Sequence, residues 1–277
     1  MLSIHHIFGT GIECDSLTGS ATFGRVKSIV VDYSSLSGTL PSSIGNFGSM
    51  TRMSFYVNVI GGTIPSTISG LTSLEFLSFY NNFFFGTIPS SISALIALQI
   101  FDLSFNSLSG TIPRTISGLT SLQYLSLGSN SLVGTIPSTI SGLPSLQRLY
   151  LDSNSLVGTI PSTISGLMSV RDMSLFDNLL SGTIPSTMSA LTSLRFLPLY
   201  NNYLTMGTAT SVPISTFSST TLSGSIDLAE NCLVFDTRTP YPYRHVTATH
   251  CRLTGKYEVC CPNLEYSIVI LNFLISR

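Results

Sequence analysis

The side chains best suited to metal or redox chemistry are His245, His250, Cys251, Cys260 and Cys261, gathered toward one end of the chain. Imidazole and thiolate are zinc ligands, but structural zinc sites draw on short paired spacings, and none of the familiar ones occurs here. Cysteines in this position also suit a disulfide cap, the reading taken below, and the adjacent Cys260 and Cys261 fit either use. Serine and threonine are abundant, yet a hydroxyl becomes a nucleophile only beside a base held by a third group. The four histidines, His5, His6, His245 and His250, all lie outside the serine- and threonine-rich middle of the chain. No glycine-rich phosphate loop, His-Glu-x-x-His helix or Gly-x-Ser-x-Gly elbow is present. The chain therefore reads as a non-enzyme that needs no cofactor and no metal.

What the middle of the chain holds instead is repetition. GTIPSTISGL or a close variant recurs with its proline at Pro65, Pro89, Pro113, Pro137, Pro161 and Pro185, and GTLPSSIGNF adds Pro41, each step being 24 residues. A fixed period of this length marks a solenoid, whose units bury their apolar side only against their neighbours. Each unit reads LxxLxxLxLxxNxLxGxIPxxIxx, as in Leu119, Leu122, Leu125, Leu127, Asn130, Leu132, Gly134, Ile136, Pro137 and Ile140.

Each column has a physical task. Leu125 and Leu127, or Leu149 and Leu151, stand two apart and point to one side of a short strand, into the core. The asparagines Asn58, Asn82, Asn106, Asn130, Asn154, Asn178 and Asn202 are read as a buried ladder, because an amide can satisfy backbone groups left unpaired where a coil turns inward. The glycine ahead of Ile-Pro allows a tight backbone path, and the proline fixes φ where the chain leaves the strand.

These columns resemble the plant-specific class of leucine-rich repeats, found in receptor-like kinases and receptor-like proteins, in polygalacturonase-inhibiting proteins and in surface proteins of some protists. The resemblance runs from about Val26 to Leu204. It implies a repeat solenoid of the α/β leucine-rich-repeat type: right-handed and curved, with a parallel β-sheet on its concave face and about nine coils. It also implies a recognition module placed outside the cell or on its surface. GIECD looks like part of the family's N-terminal cap, with Cys14 matching the cap's second cysteine and no upstream partner for it.

The expected organisation is a partial cap over 1–25, regular repeats over 26–205, an irregular last coil with a cysteine-containing cap over 206–254, and an apolar tail over 255–277. Cys232 and Cys251 stand 19 residues apart just after the last coil, where an exposed core end needs covering, and are expected to form a disulfide. The N-terminus lacks an apolar stretch of signal-peptide length. The segment YSIVILNFLI near the other end is about half of the roughly 20 residues that span a bilayer, so a membrane is a partner only through an anchor beyond this sequence. With 9% charged residues and a net charge of -1, no field draws nucleic acid, and a monomer is expected.

Strand positions alternating with the core leucines must face outward together. Coil by coil they carry Asp32 and Tyr33; Arg52 and Tyr56; Phe76 and Tyr80; Ile100, Asp102 and Phe105; Tyr124; Arg148, Tyr150 and Asp152; Asp172, Phe176 and Asp177; Arg195, Phe196 and Tyr200. Aromatic and charged residues that differ between near-identical coils are the kind that anchor interfaces. A protein, peptide or glycan ligand is therefore expected on this face. Inhibition of a secreted cell-wall hydrolase would use the same scaffold.

A rival surface is the column Thr39, Thr63, Thr87, Thr111, Thr135, Thr159 and Thr183, stacked at the spacing of neighbouring strands. Some plant proteins with similar repeats bind ice through repetitive polar surfaces, so ice or crystalline polysaccharide is the alternative ligand. Simple duplication of an exposed threonine gives the same column without a use.

Overall fold

The computed structural model describes residues 11–14 and 25–205, and the backbone of four later strands, Ile226–Asp227, Leu233–Asp236, Arg252–Thr254 and Tyr257–Cys260. Each 24-residue unit forms one coil with three sides. The first is a short strand of the front sheet: Val26–Val30, Arg52–Ser54, Phe76–Ser78, Ile100–Asp102, Tyr124–Ser126, Arg148–Tyr150 and Asp172–Ser174, all parallel and in register, so that Leu125 faces Phe101 and Leu149. A bridge from Asp172 to Phe196 leads to Leu197–Pro198, which pairs with Ile226–Asp227. Among the described residues nine parallel rungs result, two more than the seven repeats marked by proline and in line with the expected number of coils. Gly11–Cys14 closes the first edge as an antiparallel strand, removing an open row of backbone groups.

The second side is a pair of four-stranded parallel ladders running from Ser37–Thr39 to Tyr203–Thr205. The third side is a 3-10 turn that begins directly after each repeat proline, as in Ser66–Gly70 after Pro65. Proline supplies the extended φ of -69° there and has no N–H to leave unsatisfied at a helix start. Among the described residues no helix is long and apolar enough to cross a membrane.

The apolar columns meet inside. Leu125, Leu127, Leu132, Ile140, Leu143 and Leu146 of one coil have no exposed surface, and neighbouring coils repeat the pattern. Burying a side chain of this size is worth about 1.5–3 kcal/mol, and dozens of them make one continuous core. Where the sequence substitutes phenylalanine for leucine the rings stack: Phe55 on Phe79 at 5.8 Å and Phe79 on Phe84 at 4.7 Å between centroids.

The asparagine column is the polar rail beside this core. Asn178 Nδ2 donates to the carbonyls of Leu151 at 3.0 Å, Leu175 at 3.2 Å and Phe176 at 3.1 Å, while its Oδ1 accepts from Leu156 N at 3.0 Å. Each amide thus ties its own coil to the previous one. Four members are buried and the three central ones, Asn106, Asn130 and Asn154, are half-buried.

Two features lie outside the sequence reading. The residue ahead of each asparagine turns through the left-handed region, at φ 53° for Val57, 52° for Asn81, 56° for Phe105, 52° for Ser129, 53° for Ser153, 51° for Asp177 and 52° for Asn201. The exposed hydroxyls of the 3-10 turns bond across coils: Thr67, Ser91, Thr115, Thr139, Thr163 and Thr187 each donate at 2.6–2.8 Å to a carbonyl 25 residues earlier. They stitch the outer side of the stack. Cys14 is a free, exposed thiol, and the expected Cys232–Cys251 disulfide lies outside the described residues, as do His245 and His250.

Candidate recognition surface

Strand register sorts the outward side chains of the front sheet into three columns. The first holds Arg52, Phe76, Ile100, Tyr124, Arg148, Asp172 and Phe196; the second holds Ser54, Ser78, Asp102, Ser126, Tyr150, Ser174 and Pro198. Two residues further along each coil comes the third, with Asp32, Tyr56, Tyr80, Ser104, Gly128, Asp152, Phe176 and Tyr200. Arg195 does not join them. It sits one position before the front column, its N–H bonded to Arg171 O at 2.7 Å, and the outward residue of that coil is Phe196. The physical reason is the two-residue period of a strand, which turns Arg195 and Phe196 to different sides; Tyr33 and Phe105 join the face from beyond the strand, at the left-handed turn.

At the N-terminal end of the face the rings form a run. Tyr33 lies 5.2 Å from Tyr56, Tyr56 stacks on Tyr80 at 4.3 Å, and Tyr80 meets Phe105 at 5.2 Å. Beside it the Arg52 guanidinium lies 3.7 Å from the centre of the Phe76 ring, a cation–π contact. A second stack, Phe176 on Tyr200 at 4.5 Å, stands at the other end. Phe105 keeps half its surface exposed, at 51%.

Between the stacks the third column shrinks to Ser104 and Gly128, leaving a saddle lined by carboxyl and phenol groups. Asp102 Oδ1 accepts from Ser104 N at 3.0 Å and Ser104 Oγ at 2.5 Å. The Asp152 carboxyl folds back over Gly128, and a Cβ there would stand 2.9 Å from its Oδ2. Burial raises both carboxyls above the ordinary aspartate range; at Asp102 the hydrogen bonds from Ser104 pull the other way. Tyr124 and Tyr150 meet edge to face at 5.6 Å. Burial, with the Asp102 charge adding, pushes the Tyr124 phenol up to about 12; burial and Asp172 push Tyr150 in the same direction. Arg148 Nε donates to Asp172 Oδ2 at 3.1 Å, an exposed pair of small energetic weight.

The threonine column is exposed in all seven coils. From Thr39 to Thr159 each Cγ2 packs over the left-handed glycine of the next coil, as Thr111 does over Gly134. The same side carries apolar residues that the sequence reading left out, notably Phe83 at 59% exposure and Phe85 at 53%. Their signal was the replacement of Ser by Phe in two strand columns.

A family model described as leucine rich repeat matches residues 80–132, 96–156 and 144–204. No curated protein sequence matches the chain. Among solved structures, the ectodomain of the Arabidopsis thaliana receptor kinase GASSHO1/SCHENGEN3, in complex with CASPARIAN STRIP INTEGRITY FACTOR 2, is 32% identical with a TM-score of 0.75 over 81% of this chain and 26% of that one. The Arabidopsis receptor kinase HAESA, in complex with the peptide hormone IDA and the co-receptor SERK1, is 30% identical with a TM-score of 0.65 over 80% and 40%. A plant ice-binding protein is 29% identical with a TM-score of 0.57 over 80% and 61%. The chain thus spans only 26% and 40% of the length of these two receptor ectodomains.

Proposed function

Because the chain is a leucine-rich-repeat protein of the plant type that resembles receptor ectodomains, we propose that it is a non-catalytic module that captures a protein, peptide or glycan on its front sheet, outside the cell or on its surface. The observation that carries this reading is the distribution of side chains. Among the described residues the front face alone brings together two aromatic stacks, a cation–π pair and a carboxyl-lined saddle, while the 3-10 side repeats Ser and Thr tied up in hydrogen bonds between coils. Rings with restrained rotamers bind at low entropic cost, which suits them as anchors. The peptide and co-receptor complexes of similar ectodomains favour protein or peptide over glycan.

The test is capture of partners from intact cells and their surroundings by the wild-type chain and by a variant carrying Tyr80→Ala, Arg148→Ala and Tyr150→Ala. The variant is expected to lose the partner while keeping its melting temperature within a few degrees. Equal capture by both would remove the front face from the account.

A second reading has its own support: the seven exposed threonines and the likeness to a plant ice-binding protein favour ice or a crystalline polysaccharide as ligand. Ice recrystallisation at micromolar protein decides it. Growth unaffected by the chain leaves the column as packing between coils. Inhibition of a secreted cell-wall hydrolase is a form of the first reading, checked by adding the chain to a polygalacturonase assay.

A further inference from the structure

The saddle on the front sheet presents a charge problem that the chain does not solve by itself. Asp102 and Asp152 are half-buried, and neither carboxylate has an ion-pair partner among the described residues, where Arg148 is already engaged by Asp172. Beside Asp152 stands Ser174, 3% exposed and in an outward-facing column, yet its Oγ lacks a hydrogen bond of regular geometry. A half-buried carboxylate without a cation costs free energy that a bound donor would recover.

We propose that the saddle receives the arginine or lysine side chain of an extended peptide whose apolar residues lie on the two flanking aromatic stacks. The proposal rests on the front-sheet reading above and adds the chemistry of the partner. Charge complementarity selects the occupant: an apolar or acidic segment would leave both carboxylates unpaired and desolvated. Guanidinium suits the place further because it pairs with carboxylate through several N–H groups and lies flat on phenol rings such as Tyr124 and Tyr150.

Strand spacing sets the register. Tyr80 and Phe176 belong to coils four rungs apart, with Ser104, Gly128 and Asp152 between them. At about 4.8 Å per rung they stand roughly 19 Å apart, the length of about six residues of extended polyproline II chain at about 3.1 Å each, in which every third side chain falls on the same face. The basic residue thus belongs midway, about three residues from each apolar anchor.

The probe is an N-acetylated, C-amidated heptapeptide, Phe-Gly-Ser-Arg-Ser-Gly-Phe, titrated calorimetrically into the full chain. It is compared with the same peptide carrying citrulline, which keeps the shape of arginine without its charge. Replacement by citrulline is expected to weaken binding at least about tenfold. The protein variant Asp102→Asn with Asp152→Asn is expected to erase the difference between the two peptides while remaining folded by circular dichroism. Moving the arginine next to either phenylalanine should also weaken binding. Equal affinity for arginine and citrulline peptides overturns the proposal; if Tyr80→Ala then weakens both alike, the front sheet keeps its role and only the cation is lost. Failure of both peptides to bind likewise overturns it, and leaves the front face to be judged by the partner-capture experiment.

Discussion

Asp152 fills, from one coil further on, the space that a side chain at Gly128 would occupy: a Cβ at position 128 would meet its Oδ2 at 2.9 Å and its Cγ at 3.2 Å. The third outward column elsewhere holds Tyr, Ser, Asp or Phe, so its one glycine marks where a neighbouring carboxyl can fold in over the sheet. The prediction is that Gly128→Ala swings the Asp152 carboxylate out of the saddle and weakens arginine-peptide binding several-fold, with a loss of stability under about 1 kcal/mol because the carboxylate can move into solvent. Calorimetric titration and chemical denaturation of the same variant measure the two effects, and an unchanged affinity would separate Gly128 from the site.

Val57 is the next test. It holds φ at 53°, a region in which a β-branched side chain crowds its own backbone, while the equivalent place one coil on is filled by Asn81 at nearly the same φ. Val57→Asn should therefore stabilise the chain by about 1 kcal/mol, seen as a higher denaturant midpoint with an unchanged slope. A destabilised variant would mean that the packing of the valine methyls outweighs the backbone term.

Asn178 offers the opposite sign. Its amide serves three carbonyls and one N–H in a buried setting, so Asn178→Ala strands several backbone groups at once. A cost of about 2–4 kcal/mol is expected by denaturant unfolding. Asn130→Ala, at a half-buried member of the same column, should cost less because water can reach the vacated groups.

The carboxyls of the saddle predict a pH signature. Asp102 has a raised folded-state pKa, so the folded chain binds its proton more readily than the unfolded chain does. The stability linked to this group is present below the ordinary aspartate pKa and declines as pH rises through the interval up to the raised folded value. Asp102→Asn keeps the acceptor for Ser104 N and abolishes the charge, so its melting temperature should exceed wild type at neutral pH and converge with it in acid. A difference independent of pH would assign the effect to packing.

Much of this was legible in the sequence, for reasons that can be named. The leucine and asparagine columns announce themselves because burial tolerates few residue types, and the period places Asn130 or Leu125 without any coordinates. The left-handed column was not legible, since Val57 and Phe105 carry none of the glycine or asparagine signal that such a turn usually shows. Nor were the outer hydroxyl bonds, because Thr115 reads as any exposed threonine until Ser90 O is found 2.7 Å away. Arg195 was misplaced because Arg195 and Phe196 are both large and surface-suited, and only the bridge to Asp172 says which one begins the outward column.

Every bond between coils described here reaches only to the adjacent one, at sequence separations of 22 to 27 residues for the asparagine rail and 25 for the outer hydroxyls. A complete repeat can therefore be gained or lost by unequal crossing-over in the gene without breaking any class of contact. Such an event between Tyr80 and Phe176 would move the two ring stacks apart or together by one strand spacing, about 4.8 Å. The molecule is in that sense a ruler with discrete marks, and lineages differing by one coil should prefer ligands whose anchor residues differ in separation by one or two positions.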